Sequence, residues 1–340
     1  MVSPVTTPML TKINKGKLFS YVTACKNNLD FFSCRSSANH LLQGSRAISS
    51  VDVVDTVNCA VADYNSNRLN SKLFLSDFVK NFTDWIGISS LAAYDADFSN
   101  GTTQSFDSFY FRHRVKRFRC YVGEYFYHLK TWQSNSVNWS FITDSDPLTR
   151  GDAVVLSMPF CDTGNIQHVN TIKLCESLEI PVLIDMCYYP LAKPFDVDLT
   201  STTIDTVSFS LSKIFPVANF RIGVRYTKKD IFDGQKLHHT IGYNNVLSAH
   251  VGQQLIQHYA ADYIYKTYCQ QQHEVCEFLE IEPSESAIFG LGNDTWNMFS
   301  RSNLINEYQL GFDPLMFQNR ICLVPFFENW DLFKRFKNAY

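Results

Sequence analysis

Three polar groups in this sequence each stand beside a short apolar run. Asp185 follows Pro181-Val182-Leu183-Ile184, with Tyr188 three residues on; Ser210-Leu211-Ser212-Lys213 follows Val207-Ser208-Phe209; and Arg221, eight residues beyond Lys213, opens Ile222-Gly223-Val224-Arg225-Tyr226. A carboxylate at the end of a buried strand requires a cation or strong hydrogen bonds, because an unpaired buried charge is too costly to keep. A lysine amine brought well below its reference pKa of about 10.4 by desolvation or a neighbouring charge becomes a nucleophile and a base. An arginine presents a fork that grips an anion through two parallel hydrogen bonds. A second anion-binding element is Gly101-Thr102-Thr103. It leads into a helical pattern, where backbone N–H groups and the helix dipole both favour negative charge.

The elements that carry these residues can be read from apolar patterning. Phe106, Phe109, Tyr110 and His113 recur at spacings of three and four after Ser99-Asn100-Gly101-Thr102, which predicts an amphipathic helix opening near Thr103. A strand is expected over 118–122. The apolar runs 153–158 and 181–184 flank a helical pattern (Ile166, Val169, Ile172, Leu174, Leu178), which makes a βαβ unit. Two more strands are expected over 206–209 and 222–226, giving a mostly parallel sheet with helices on its faces and ligands beyond the carboxyl ends. After Gly242, long helical stretches over 246–255 and 260–279 precede an α+β portion ending at 319–324. Residues 1–70, rich in Ser and Asn, suggest only short helices and loops. The expected fold class is α/β. A large domain over 61–250 carries the sheet, a smaller α+β domain covers 251–340, and residues 1–60 form an N-terminal arm and part of the small domain.

Taken in order, a strand ending in Asp-x-x-Tyr, a Ser-x-Ser-Lys segment and an arginine eight residues past the lysine resemble the fold-type I enzymes that use pyridoxal 5′-phosphate (PLP). The resemblance is closest to the class I/II aminotransferases and covers about residues 100 to 226. It implies that Lys213 forms a Schiff base with the cofactor aldehyde and, once released, moves the Cα proton of an amino acid. Asp185 would pair with the pyridinium nitrogen and keep the ring an electron sink, while Tyr188 donates to the phenolic oxygen. Arg221 with Ser210 and Ser212, and the turn Gly101, Thr102 and Thr103, would hold the phosphate. The family stacks an aromatic ring on the pyridine, and within Gly123-Glu124-Tyr125-Phe126-Tyr127-His128 the register favours Tyr125, with Phe126 the alternative. Arg320 is the candidate for the substrate α-carboxylate. The implied reaction moves an amino group between an amino acid and a 2-oxo acid, in a homodimer. A PLP-dependent lyase, eliminating at the α or β position in the manner of a C–S lyase, would use the same residues and stays open, as does a non-catalytic sensing module.

Two departures from the family pattern bear on this. Where the family carries Asn-Pro-Thr-Gly, this sequence has Cys161-Asp162-Thr163-Gly164, and a thiol is a poor substitute for the asparagine that donates to the phenolic oxygen. Asp162, Asn165 or Tyr188 alone must then serve that oxygen. The chain is also short for the family, which implies economy in the terminal domain.

Plainer readings compete at each position. Asp185 fits a helix N-cap at a strand end, Lys213 a solvated lysine, Arg221 a sheet-edge charge, and Tyr125 to Tyr127 ordinary packing. The ordered set outweighs these, except at Arg320, where the two readings balance. His238, His239, His250, His258 and His273 have no Cys or carboxylate at ligand spacing, so no metal is expected. Arg112, Arg114, Lys116, Arg117 and Arg119 cluster among aromatics without a nucleic-acid motif.

Composition bounds the partner. Lys plus Arg is 30 against 33 for Asp plus Glu, a net charge of −3, so no general field draws the chain to nucleic acid or an acidic membrane, and a small-molecule partner is expected. Hydrophobic residues at 45 %, with 28 Phe, 17 Tyr and 5 Trp, exclude intrinsic disorder. At 340 residues the chain exceeds the ~250–300 at which one core stops growing, which argues for two domains. Ten cysteines are too sparse for a disulfide scaffold, and Cys59, Cys120, Cys175 and Cys322 lie in apolar stretches that suit buried thiols and a reducing compartment. Residues 1–10 lack a leader pattern and no apolar run is long enough to span a bilayer, so a cytoplasmic protein is expected.

Overall fold

The computed structural model of the chain describes residues 40–65, 70–303 and 311–339. Most of the expected N-terminal arm, residues 1–39, and the leader reading over 1–10 lie outside the described residues. The chain forms two compact units. The larger comprises Arg46–Thr267 with Glu285–Ala287, and the smaller gathers 40–45, Tyr268–Ser284 and 288–339 among the described residues.

The larger unit is built on a seven-stranded sheet of order β1-β7-β6-β5-β4-β2-β3. Its strands are β1 (Asp95–Ser99), β2 (Arg117–Cys120), β3 (Trp139–Phe141), β4 (Asp152–Ser157), β5 (Val182–Asp185), β6 (Ile204–Ser210) and β7 (Gly223–Thr227). Strands β2 to β6 pair in parallel, whereas β7 runs antiparallel to both β6 and β1. Two antiparallel steps restore direction, so β1 runs with the parallel set. Six strands therefore deliver their carboxyl ends to one edge of the sheet, and β7 delivers its amino end to the same edge. Strands β4 to β7 are buried along their whole length, as strands covered on both faces are. The α/β class with a mostly parallel sheet is thus as the sequence predicted.

Helix Thr102–Arg112 opens one residue before the predicted start and buries Phe106, Phe109 and Tyr110. Two helices ahead of it were not drawn from the sequence as elements of this length. Val51–Asp63 is one; Ser71–Ile86 is the other, with Leu75, Phe78, Val79, Phe82 and Ile86 on a single buried face. Asn70 caps the second by accepting the Leu73 N–H at 3.2 Å, and Gly87 ends it in the left-handed conformation. Cys59 corrects an expectation. It faces solvent, because the buried stripe of helix Val51–Asp63 is Val53, Val57 and Ala60, and position 59 falls off that stripe.

Three of the four arginines of the 112–119 segment are held in ion pairs within the larger unit. Arg112 pairs with Asp205 at 2.6 Å and Asp233 at 2.9 Å, Arg117 with Asp146 and Asp152, and buried Arg119 with Asp152 at 3.0 Å. Arg225, wholly buried in β7, joins Asp97 at 2.8 Å and Asp233 at 2.7 Å. These pairs account for three of the five basic residues of that cluster.

The smaller unit carries a three-stranded antiparallel sheet, β8 (Glu282–Pro283), β9 (Phe289–Gly292) and β10 (Asn319–Cys322), with β9 in the middle. Gln272 in helix Tyr263–Leu279 ties helix to sheet by donating to Ser284 O and Phe289 O, each at 2.7 Å. Helices Val324–Glu328 and Trp330–Ala339 complete this unit. Among the described residues no helix is long and apolar enough to cross a membrane.

Candidate functional site

The edge of the large sheet where strand ends converge brings together most of the residues singled out in the sequence. Asp185 is the last residue of β5 and is only 6 % exposed. Burial pushes its carboxyl up to about 7, against the opposing pull of the Cys187 N–H, which it accepts at 2.9 Å, and of the Lys213 charge. Lys213 ends the one-turn helix Leu211–Lys213 directly after β6. Ser210 caps that turn: its Oγ accepts the Ser212 N–H at 3.2 Å and lies 3.1 Å from Ile222 O and 2.9 Å from Ser212 Oγ. Its hydrogen is therefore used inside the turn. Ser210 fixes the lysine, and Ser212 is the hydroxyl with a hydrogen to give outward.

Arg221 and Gly101 form the second part of the site. Arg221 adopts a left-handed backbone (φ 58°), uncommon for a residue with a side chain, and its Nη2 donates to Thr103 Oγ1 at 3.0 Å. Gly101, φ 76°, precedes helix Thr102–Arg112, whose first turn has no side-chain cap from Gly101 and no acidic residue. A Cβ on Gly101 would lie 2.8 Å from Cζ of Arg221 and closer still to Nη2. Gly223, paired in register with both Ser99 and Ser210, completes the approach, since a Cβ there would meet Phe209 O at 2.6 Å and Gly101 Cα at 3.2 Å. The two bare Cα atoms let a guanidinium, a helix start and the lysine turn close on one another. Such a cradle suits a phosphate.

Tyr125 is the accessible ring of the aromatic cluster, 40 % exposed, whereas Phe126 is 8 % exposed and packs inward at the start of helix Phe126–Ser134. Burial, with the charges of Cys161, Cys187 and Asp185 adding to it and Arg221 opposing, pushes the Tyr125 hydroxyl up to about 12, so Tyr125 shares its surroundings with the acid, the arginine and both thiols. Tyr188 is buried, with its hydroxyl 4.0 Å from Cys161 Sγ.

Several residues here were not singled out by sequence reasoning. Glu124, fully buried, accepts the Ser157 N–H at 2.8 Å and its hydroxyl at 2.6 Å, and Ser157 Oγ in turn accepts the Cys161 N–H at 2.8 Å. A buried glutamate inside an aromatic run was the available signal. Cys187 lies between Asp185 and Lys213 electrostatically, and burial pushes its thiol up. Tyr110 and His128 form a buried pair, the hydroxyl hydrogen-bonded to Nδ1, and burial alone holds His128 down to about 3. Asp185 contributes to raising Tyr110. Nothing in their spacing links residues 110 and 128; the fold does that. Arg320 belongs to the smaller unit, buried in β10 with its guanidinium 4.2 Å from the centre of the Phe289 ring.

No protein-family model matches this sequence, and no curated protein matches it. Solved structures do resemble it. Aspartate aminotransferase from Thermotoga maritima is 14 % identical, with 96 % of this chain and 97 % of that one covered at a TM-score of 0.57. The PLP-bound C–S lyase from Staphylococcus hominis is 12 % identical over 88 % of this chain and 90 % of its own, TM-score 0.60. The histidinol-phosphate aminotransferase from Clostridium acetobutylicum is 12 % identical over 88 % and 99 %, TM-score 0.54. At such identities the likeness is one of fold: the chain has the fold-type I architecture that these aminotransferases and this lyase share.

Proposed function

We propose that the chain is a PLP-dependent enzyme acting on amino acids, and that its reaction is transfer of the amino group to a 2-oxo acid. The observation that carries this reading is the convergence of Asp185, Lys213 and the Gly101–Arg221 cradle on one sheet edge. The donor set fits the cofactor part by part. A carboxyl held up to about 7 by burial favours a cation beside it, and a protonated ring nitrogen is one. The guanidinium and the acid-free helix start suit a phosphate dianion, and Tyr125 offers an accessible ring face.

Bound there, PLP would supply an electron sink that makes the Cα–H of an amino acid acidic. Asp185 keeps the ring nitrogen protonated. Arg221, Thr102, Thr103 and Ser212 would hold the phosphate, so that the cofactor's orientation is settled before a proton moves. Tyr188 donates its hydroxyl hydrogen to the phenolic oxygen. Lys213 would hold the cofactor through its amine and, once displaced by a substrate amine, would be the base that takes the proton from Cα and delivers it to the cofactor carbon that had carried the aldehyde. The homodimer and the cytoplasmic setting implied by the resemblance are part of the same proposal.

Elimination is the second reading, supported by the similarity to a C–S lyase at a TM-score of 0.60, within the range of 0.54 to 0.62 spanned by the aminotransferases. One experiment separates the readings. Purified protein incubated with PLP is expected to gain a visible absorption band that borohydride fixes onto the Lys213 peptide and that Lys213→Ala lacks. Stoichiometric pyridoxamine formation with an amino acid alone supports transfer; repeated release of ammonia or a keto acid supports elimination. A wild-type protein that gains no band overturns the cofactor reading.

A further inference from the structure

The thiol of Cys161 carries an inference that rests on the PLP reading. After β4 the chain turns, and Cys161 is fixed at the sheet edge by a relay of hydrogen bonds. Its N–H donates to Ser157 Oγ at 2.8 Å, and Ser157 Oγ–H donates to Glu124 Oε2 at 2.6 Å. Both Glu124 and Ser157 are buried, so the relay is rigid. It holds Cys161 Sγ 4.0 Å from the Tyr188 hydroxyl and within electrostatic reach of Tyr125 and Cys187.

The other polar side chains of this turn have neighbours of their own: Thr163 Oγ1 accepts the Asn165 N–H at 3.1 Å. Asp162 lies against Gly123, where a Cβ would stand 2.5 Å from Asp162 Cβ and 2.7 Å from its Cγ. Asn165 accepts the Glu285 N–H through Oδ1 at 2.8 Å. The thiol stands beside the Tyr188 hydroxyl, at 4.0 Å, and is placed to be a second donor to an acceptor which that hydroxyl serves. An S–H group donates weakly, whereas an amide N–H in its place would donate well.

We propose that Cys161 is a positioning residue that tunes the lysine-bound cofactor: by giving the phenolic oxygen a weak second donor beside Tyr188, it makes the nitrogen shared with Lys213 keep its proton to higher pH. The reasoning is one of charge. When that nitrogen loses its proton, the phenolic oxygen carries the negative charge unshared, and every strong donor to the oxygen stabilises this deprotonated form. A thiol stabilises it less. The protein then holds the protonated, electrophilic form through neutral pH.

The test is a spectrophotometric titration of the PLP-loaded protein from about pH 5 to about pH 10, a window that brackets the titration of such a nitrogen. It compares the unaltered protein with Cys161→Asn, Cys161→Ser and Tyr188→Phe. Cys161→Asn is expected to lower the midpoint by about one pH unit or more, the size of one hydrogen bond to a charged oxygen. Cys161→Ser, of nearly the same volume and so a safeguard should the amide disturb the turn, is expected to lower it by less, and Tyr188→Phe to raise it. A normal band whose midpoint is unmoved in both Cys161 variants overturns this inference alone. Absence of any band, in the unaltered protein as in the variants, overturns the cofactor reading and this inference with it.

Discussion

Gly101 and Arg221 are mutually exclusive with a side chain between them: the guanidinium of Arg221 occupies the space that a Cβ on Gly101 would fill. The glycine also needs its left-handed φ of 76°, so two independent constraints fall on one residue. Gly101→Ala must push Arg221 away from Thr103 or distort the start of helix Thr102–Arg112. We expect PLP affinity to fall roughly tenfold or more, as loss of one charge-assisted hydrogen bond implies, with a stability loss of only about 1 kcal/mol. Equilibrium dialysis against PLP and thermal unfolding of the unloaded protein measure the two separately.

Asp185 predicts an opposition between stability and function. Its carboxyl is raised from 3.8 to about 7 by burial, so between those pH values the folded chain keeps a proton that the unfolded chain releases. Stability therefore falls as pH rises through this window, by about 1.4 kcal/mol per unit and at most roughly 4 kcal/mol in all. Asp185→Asn removes this slope. The unloaded variant should be more stable than the unaltered protein at pH 8, and the PLP-loaded variant should have lost amino-group transfer. Loading with PLP should shrink the stability difference, because a cation beside Asp185 lowers its pKa. Denaturant midpoints across pH, with and without cofactor, check both statements.

The division between what the sequence made legible and what it did not follows from the range of the interactions. Asp185, Lys213 and Arg221 each lie within three residues of a strand end, and apolar runs locate strand ends, so their common edge could be anticipated. The antiparallel course of β7 was not anticipated, yet it is what turns Arg221 toward that edge. Glu124 bonding to Ser157 and Tyr110 bonding to His128 join residues 33 and 18 positions apart on different elements, and no periodicity encodes such pairs. Helix Ser71–Ile86 escaped notice because its apolar face is diluted by Ser, Lys, Asn and Asp on the outer one.

The buried ion cluster offers a test of fold independent of the cofactor. Arg225 and Asp97 are both fully buried, and Arg225 also holds Asp233, keeping its carboxyl well below the usual range. Arg225→Met leaves Asp97 without a guanidinium, although Lys236 still approaches it at 3.3 Å, and leaves Asp233 only that of Arg112 at 2.9 Å. We expect a loss of about 3–5 kcal/mol, measured by urea unfolding, and partial recovery in the double variant Arg225→Met, Asp97→Leu, since removing both buried charges is far less costly than removing one.

His128 supplies the slope opposite to that of Asp185. Fully buried and bonded through Nδ1 to Tyr110, it is lowered from 6.5 to about 3, so the unfolded chain takes up a proton in that window and the folded chain does not. Its contribution to stability is complete above 6.5 and is lost as pH falls toward 3, again about 1.4 kcal/mol per unit. Between roughly pH 4 and pH 6.5 the two residues therefore cancel. Replacing one should expose the other. The stability of Asp185→Asn relative to the unaltered protein should grow as pH rises through this interval. That of His128→Gln, which cannot take up the proton, should fall over the same interval, and the double variant should again run parallel to the unaltered protein. A His128→Gln difference that does not change with pH would mean that the imidazole is protonated in the folded state, and that the Tyr110 hydroxyl is not its donor.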